Sequence, residues 1–263
     1  MTERTTRITD PTDPRIADYI NIRERDLLRD HDTFIAEGKT VLQVLVRASR
    51  FPIKSLLILE NRINGIAPMI DALPSDVPVY VANRAVMDAI AGFPMHRGVL
   101  AAARKTNTPL DLDNATRVVV LNALANHDNV GAVFRNAAAF GFDAVLLDEQ
   151  CCDPLYRKAI RVSVGGVLQV PFRHGGTIET VCDALKAKGF SLVGLAPNGA
   201  HEISQWAPRK KSAIVLGAEG PGLPERVLTD LETVRIAMPG SFDSLNVATA
   251  GAIAMHHMVT HKT

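Results

Sequence analysis

Ile214-Val-Leu-Gly217-Ala-Glu219-Gly220-Pro-Gly222-Leu-Pro224 is the stretch from which the rest of the chain is read. Ile214–Leu216 is apolar and carries β-branched side chains, which predicts a buried strand. Gly217, Gly220 and Gly222 follow at its carboxyl end. Glycine there lets the backbone approach a ligand closely or take φ > 0. Val234–Met238 predicts a second strand running into Pro239-Gly240. Asp243 or Ser244 is then placed to cap a helix from Leu245 to about Val259. Ala248, Ala250, Gly251, Ala252 and Ala254 give that helix little bulk and suit it to close packing. Two loops leaving two strands, with Glu219, Ser244 and Asn246 between them, predict a ligand crevice in an α/β sheet.

Upstream of this stretch the chain alternates strand-like and helical patterns twice. Met1–Arg15 is polar, lacks the apolar core of a signal peptide, and is expected to be a flexible tail. Residues 16–105 form a small α/β unit: a charged surface helix over 16–29, a helical stripe through Val41, Leu42, Leu45 and Val46, and strands at Ser55–Leu59, Val77–Val81 and Gly98–Ala103. Thr106–Ala115 is rich in turn formers and reads as a linker. A second series occupies 116–263: strands at Arg117–Leu124, Ala144–Leu147, Val167–Phe172 and Phe190–Leu195, with helices at Val130–Phe140, Leu155–Val164 and Ile178–Lys188. Strands separated by helices indicate a largely parallel sheet with helices on its faces.

Bulk properties exclude several classes. A formal charge of +1 gives no globally basic surface, although a local basic patch remains open. The three cysteines, Cys151 and Cys152 adjacent, make neither a disulfide framework nor a zinc spacing, which points to a reducing cytoplasm and no metal. No run is long and apolar enough to span a bilayer, so no membrane role is expected.

Three segments together resemble the SpoU-type (TrmH-like) RNA 2′-O-ribose methyltransferases of the SPOUT superfamily. They are Asn126-His-Asp-Asn129-Val-Gly131-Ala-Val-Phe-Arg135, Leu216-Gly217-Ala-Glu219-Gly220-Pro-Gly222-Leu223, and Ile236-Ala-Met-Pro-Gly-Ser-Phe-Asp-Ser244-Leu245-Asn246-Val247. Phe34–Gly38 and Arg97–Ala101 sit where the short signatures of the substrate-binding domain fall that often precedes this catalytic domain. The chain departs from the family pattern at Asn126-His127, usually Asp-Pro, at Ile236-Ala-Met238, usually Ile-Pro-Met, and at Leu195-Ala-Pro-Asn198, where threonine is common. The resemblance implies a trefoil-knotted catalytic domain over 116–263, S-adenosylmethionine as cofactor, structured RNA as substrate, and an active site completed across a homodimer.

Methyl transfer to a ribose hydroxyl needs hydroxyl, methyl and sulfur in line, which is mainly positioning. It also needs a hold on the neighbouring phosphate, for which a planar bidentate cation is suited. The resemblance assigns that part to Arg135. An arginine stays protonated, so electrostatic stabilisation of the developing alkoxide is its expected contribution. Asn129 is placed to orient Arg135 or substrate, or to cap a helix. Glu219 is placed to fix Arg135 or another chain's arginine, and Ser244 and Asn246 to bond substrate or cofactor, or to cap. Gly217, Ile236 and Leu245, with Leu195 and Met238, match the adenosine pocket. His127 is read as a loop residue, and His256 and His257 face differently on one helix and make no metal pair. Ribosomal RNA is the first-choice substrate and transfer RNA the second. A non-catalytic RNA-binding protein of the same fold is opposed by the intact Asn129, Arg135 and Glu219. A phosphate-loop enzyme is opposed because no Lys-Ser or Lys-Thr follows the glycines.

Overall fold

Short runs rich in Val, Ile and Leu become the strands of two sheets, each with its own buried core. The structure, a computed structural model, describes residues 4–20, 32–92, 95, 97–107, 109–240 and 243–261. Its contacts divide the chain into two compact units: Met1–Asn107 with Leu155–Gln169, and Thr108–Pro154 with Val170–Thr263.

The first unit contains β1 (Thr5–Ile8), β2 (Thr33–Glu37), β3 (Ile53–Leu59), β4 (Val79–Ala82) and β5 (Val99–Arg104), in the order β1-β4-β3-β5-β2. β1, β4 and β3 are parallel, whereas β5 runs antiparallel to β3 and β2. Its helices are α1 (Lys39–Ala48), α2 (Ala67–Asp71) and α3 (Arg84–Ala91). α1 buries Val41, Leu42 and Leu45. α3 begins where the Asn83 side chain accepts from the Val86 N–H and stops at Gly92, with φ +73°.

The second unit contains β6 (Arg117–Leu121), α4 (His127–Ala139) and β7 (Ala144–Leu147). The chain then gives α5 (Arg157–Val162) and α6 (Gly166–Gln169) to the first unit. It returns as β8 (Phe172–His174), α7 (Ile178–Ala187), β9 (Ser191–Leu195), β10 (His201–Glu202), β11 (Ser212–Leu216), α8 (Glu225–Leu228), β12 (Glu232–Arg235) and α9 (Val247–Thr260). All seven strands are parallel, in the order β10-β12-β9-β11-β6-β7-β8. β6 and β11 lie centrally with both faces covered and read as continuous apolar runs, as parallel strands do. α9 packs on α4 and β11; a Cβ on Gly251 would stand 2.8 Å from Leu216 Cδ1. Gly251 thus serves close packing within its own chain.

Several expectations are corrected. Thr5–Ile8 is not tail but a strand on β4, and residues 14–19 form a 3₁₀ helix that buries Ile16 and Tyr19. Alternation was too short there to register as a strand. The rest of the expected 16–29 surface helix, from residue 21 on, lies outside the described residues. Residues 166–169 are helical, and the strand begins only after Pro171, because Gly165 at φ +86° starts a new turn. The strand expected at Val234–Met238 lies earlier, at Glu232–Arg235. Asn246, not Asp243 or Ser244, caps the last helix. Leu112 and Ala115 of the expected linker are buried in the second core. Leu155–Gln169, expected within the second unit, belongs to the first: α5 packs on β2 and α6 on α1, and Arg157 pairs with buried Glu37 at 2.7 Å.

Candidate active site

The carboxyl ends of β12, β9 and β11 lie side by side, because Leu195 is level with Val234 and Gly194 with Val215. Leu195, Gly217 and Ile236 therefore stand at one edge of the sheet, where α/β proteins hold ligands. The loop after β11 closes on itself: Gly222 N–H donates to the Ala218 carbonyl at 3.0 Å, with Gly220 and Gly222 at φ +83° and +70°. A Cβ on Gly217 would run into the backbone of Gly222 and Leu223, and one on Gly199 into Val234. Leu195, Ile236 and Met238 are half-buried, and Leu245 is 39% exposed. Partly bared aliphatic carbon beside close-passing main chain fits the adenosine of S-adenosylmethionine, which needs an apolar wall and backbone groups at its edge.

Beside this wall lies a cluster of two amides and a carboxylate. Asn246 caps α9: its Oδ1 accepts from the Ala248 and Thr249 N–H groups at 3.0 and 3.3 Å. Its Nδ2 must then point the other way, to Asn129 Oδ1 at 2.9 Å and Glu219 Oε1 at 3.4 Å. With its oxygen so engaged, Asn129 turns its Nδ2 to Glu219 Oε1. Each amide orientation is thus forced by the next, and the chain of bonds ends in a helix cap. Asn136, two turns beyond Asn129 on the same face of α4, donates to the Ala248 carbonyl at 3.1 Å and holds the two helices together.

Three of the expected residues, Asn129, Glu219 and Asn246, are therefore brought together. Asn129 is 6% exposed inside α4, and the cap of that helix is Asn126. Arg135 does not join them. Six residues past Asn129 it lies roughly 240° around the helix, it is exposed, and it has no ion-pair or hydrogen-bond partner among the described residues. Glu219 accordingly fixes the two asparagines rather than Arg135 of its own chain. Ser244 is exposed and neither caps nor hydrogen-bonds among the described residues, while Ser241 and Phe242 of the third segment lie outside them. His127 opens the first turn of α4 instead of standing in a loop. Burial pushes the Cys151 thiol far up and that of Cys152 up to about 11, so neither is a ready nucleophile at neutral pH. No His, Cys, Asp and Glu group among the described residues is disposed to hold a metal. Sequence reasoning passed over Asp148, an acid directly after an apolar parallel strand, a position at the ligand edge of the sheet that should have drawn notice.

An all-parallel sheet with pinched glycine loops and an amide–carboxylate cluster at one carboxyl edge defines an α/β protein with a ligand site at the ends of its strands. The family model described as the SpoU rRNA methylase family matches residues 116–256. An uncharacterized tRNA/rRNA methyltransferase of Mycobacterium tuberculosis is 38% identical over 95% of this chain and 90% of its own. The 23S rRNA (guanosine-2′-O-)-methyltransferase of Salmonella typhimurium is 27% identical over 86% of this chain and 98% of its own. The crystal structure of an RNA 2′-O ribose methyltransferase superposes with TM-score 0.80 at 27% identity, covering 97% of this chain and 98% of that one. The chain belongs to the SpoU rRNA methylase family, and its fold is consistent with the trefoil-knotted architecture of that family.

Proposed function

We propose that this protein methylates a ribose 2′-hydroxyl of ribosomal RNA, with S-adenosylmethionine as donor. The observation that carries the reading is the Asn129–Glu219–Asn246 cluster, two residues from Gly217 at the sheet edge where Leu195 and Ile236 also stand. The donor supplies a methyl carbon made electrophilic by its sulfonium. Once bound, it would offer that carbon to the ribose oxygen, the C–S bond breaking as the C–O bond forms and the hydroxyl proton leaving to solvent or a base. The protein's part is alignment and electrostatics. The aliphatic wall holds adenosine; Gly217 and its neighbours offer backbone groups at close range. Glu219 keeps its second oxygen outside the cluster, free among the described residues to receive a cation or a hydroxyl.

Arg135 clamps the phosphate beside the target ribose and steadies the alkoxide. Its place on a different face of α4 from Asn129 supports an active site shared by two copies, in which Arg135 of the partner subunit meets the Glu219 cluster. Exposed Ile253 on α9 supports a dimer through this unit. Light scattering that finds a fully active monomer at micromolar concentration sinks that arrangement. The first unit holds the RNA: Lys39, Arg62 and Arg97 are exposed there without partners among the described residues, and Arg97 lies against Gly38, within 3.2 Å of where a Cβ would be. Mapping 2′-O-methyl sites in total RNA from cells with and without the gene tests the function. One ribosomal site lost on deletion supports it; a lost transfer-RNA site moves the substrate, and no lost site overturns it.

A further inference from the structure

We infer that Asp148 is a positioning residue that sets the loop from which the catalytic helix α4 starts; the inference rests on the methyl-transfer reading above. Asp148 directly follows β7 and is 1% exposed. It has no ion-pair partner among the described residues, only neutral donors. Asn122 Nδ2 donates to Oδ2 at 2.5 Å, and the N–H groups of Ala123, Gln150 and Cys151 donate to Oδ1 at 3.0, 3.2 and 3.1 Å. A buried carboxylate without a cation is costly, and a full set of donors is what makes it tolerable.

Those donors come from two segments, 122–123 and 150–151. Further bonds tie the same segments together. Asp148 N–H donates to the Leu121 carbonyl at 3.1 Å and Cys152 N–H to that of Leu124 at 2.9 Å. The Cys151 thiol donates to the Leu121 carbonyl at 3.3 Å, and its sulfur accepts from the Leu124 N–H at 3.3 Å. Every residue from Leu121 to Leu124 is thus held to 148–152. Within that run Ala123 sits at φ +54°, a conformation that side-chain-bearing residues disfavour. The chain reaches the Asn126 cap immediately afterwards and presents Asn129 in the first turn. Without the carboxylate, Ala123 is released from its strained conformation, and the head of α4 shifts with it. A ~1 Å misplacement of a reacting geometry can lower a rate by ~100-fold.

The test uses the full-length protein, tritiated S-adenosylmethionine, and ribosomal RNA from cells deleted for the gene. Asp148→Ala removes the acceptor of Asn122 Nδ2 and of the Ala123, Gln150 and Cys151 N–H groups. Asp148→Asn keeps an Oδ1 acceptor for the three N–H groups, and the Asn122 amide can turn its oxygen to the new NH2. The alanine variant is expected to lose at least about tenfold in kcat with KM for the donor within about twofold. Amide exchange of a 122–131 peptide should rise in it at least about tenfold, more than in any other peptide. The asparagine variant should recover most of both. The inference is overturned if the alanine variant keeps its kcat and its protection, if exchange rises throughout the chain as in general destabilisation, or if the asparagine variant is as impaired as the alanine one. An inactive wild type overturns the proposed function instead, and the amide-exchange arm still decides the role of Asp148.

Discussion

Both units bury polar side chains, but they place them differently. In the first unit, Tyr19 is fully buried and its hydroxyl lies 2.8 Å from the Ser55 carbonyl oxygen and hydroxyl, while also accepting from the Ala102 N–H at 3.2 Å. Burial pushes its phenol well above the usual range. Glu37 and Arg157 close a nearly dry ion pair between β2 and α5. These groups bond to one another and join segments far apart in sequence. In the second unit Asn122, Asn129 and Asp148 collect at the carboxyl edge of the sheet, and groups beside them remain open: Glu219 is exposed and Arg135 unpaired among the described residues. Polar burial that is matched internally holds a fold together, and polar burial that ends in open groups at a sheet edge is available for chemistry.

The sharpest way to break this contrast is to remove the first unit. A 110–263 fragment keeps α5 and α6 but loses what covers Ala159, Ile160, Val167 and Leu168, all fully buried. Baring the three larger ones forfeits about 1.5–3 kcal/mol each, a large share of the roughly 5–15 kcal/mol that holds a domain together. The fragment is expected to lack a cooperative thermal transition; a sharp transition with intact donor binding would make the second unit self-sufficient. Glu37→Ala removes the carboxylate that Arg157 meets at 2.7 Å and should destabilise the protein by about 1.5–3 kcal/mol, seen as a lower urea midpoint. If the midpoint is unchanged, water already solvates that pair.

On the chemical side, Arg135→Ala should reduce methyl transfer by at least about 100-fold, as for loss of a preorganised electrostatic contact. Donor affinity, read by calorimetry, should hardly change, because Arg135 is not among the residues proposed to hold adenosine. Arg135→Lys should recover little, since an ammonium keeps the charge and loses the planar fork. Recovery of most of the rate by lysine would reduce the clamp to charge alone. The smallest effect on stability is expected from Asn246→Ala. It removes a helix cap worth about 1 kcal/mol, a shift of about 2–4 °C in Tm for a unit of this size. It also frees the Asn129 and Glu219 side chains, so kcat should fall by more than the Tm change implies. A proportionate fall would make Asn246 a cap and nothing more.

Composition and periodicity were enough to read a parallel α/β unit near the carboxyl terminus and a smaller α/β unit before it, and the resemblance of three short segments to a known family supplied the candidates Asn129, Glu219 and Asn246. Those properties are local: apolar runs, turn formers and loop chemistry act within a few residues, so they are written in order along the chain. Which strands lie side by side is not local, and only the tertiary structure brings Leu195, Gly217 and Ile236 to one edge. It alone sends Leu155–Gln169 back to the first unit, because an amphipathic segment shows that it has an apolar face and not which core that face enters. The same holds for Asp148 and Arg135. An aspartate after a strand and an arginine on a helix look alike in sequence whether enclosed or bare. Here the fold surrounds the first with donors from two segments and leaves the second facing outward.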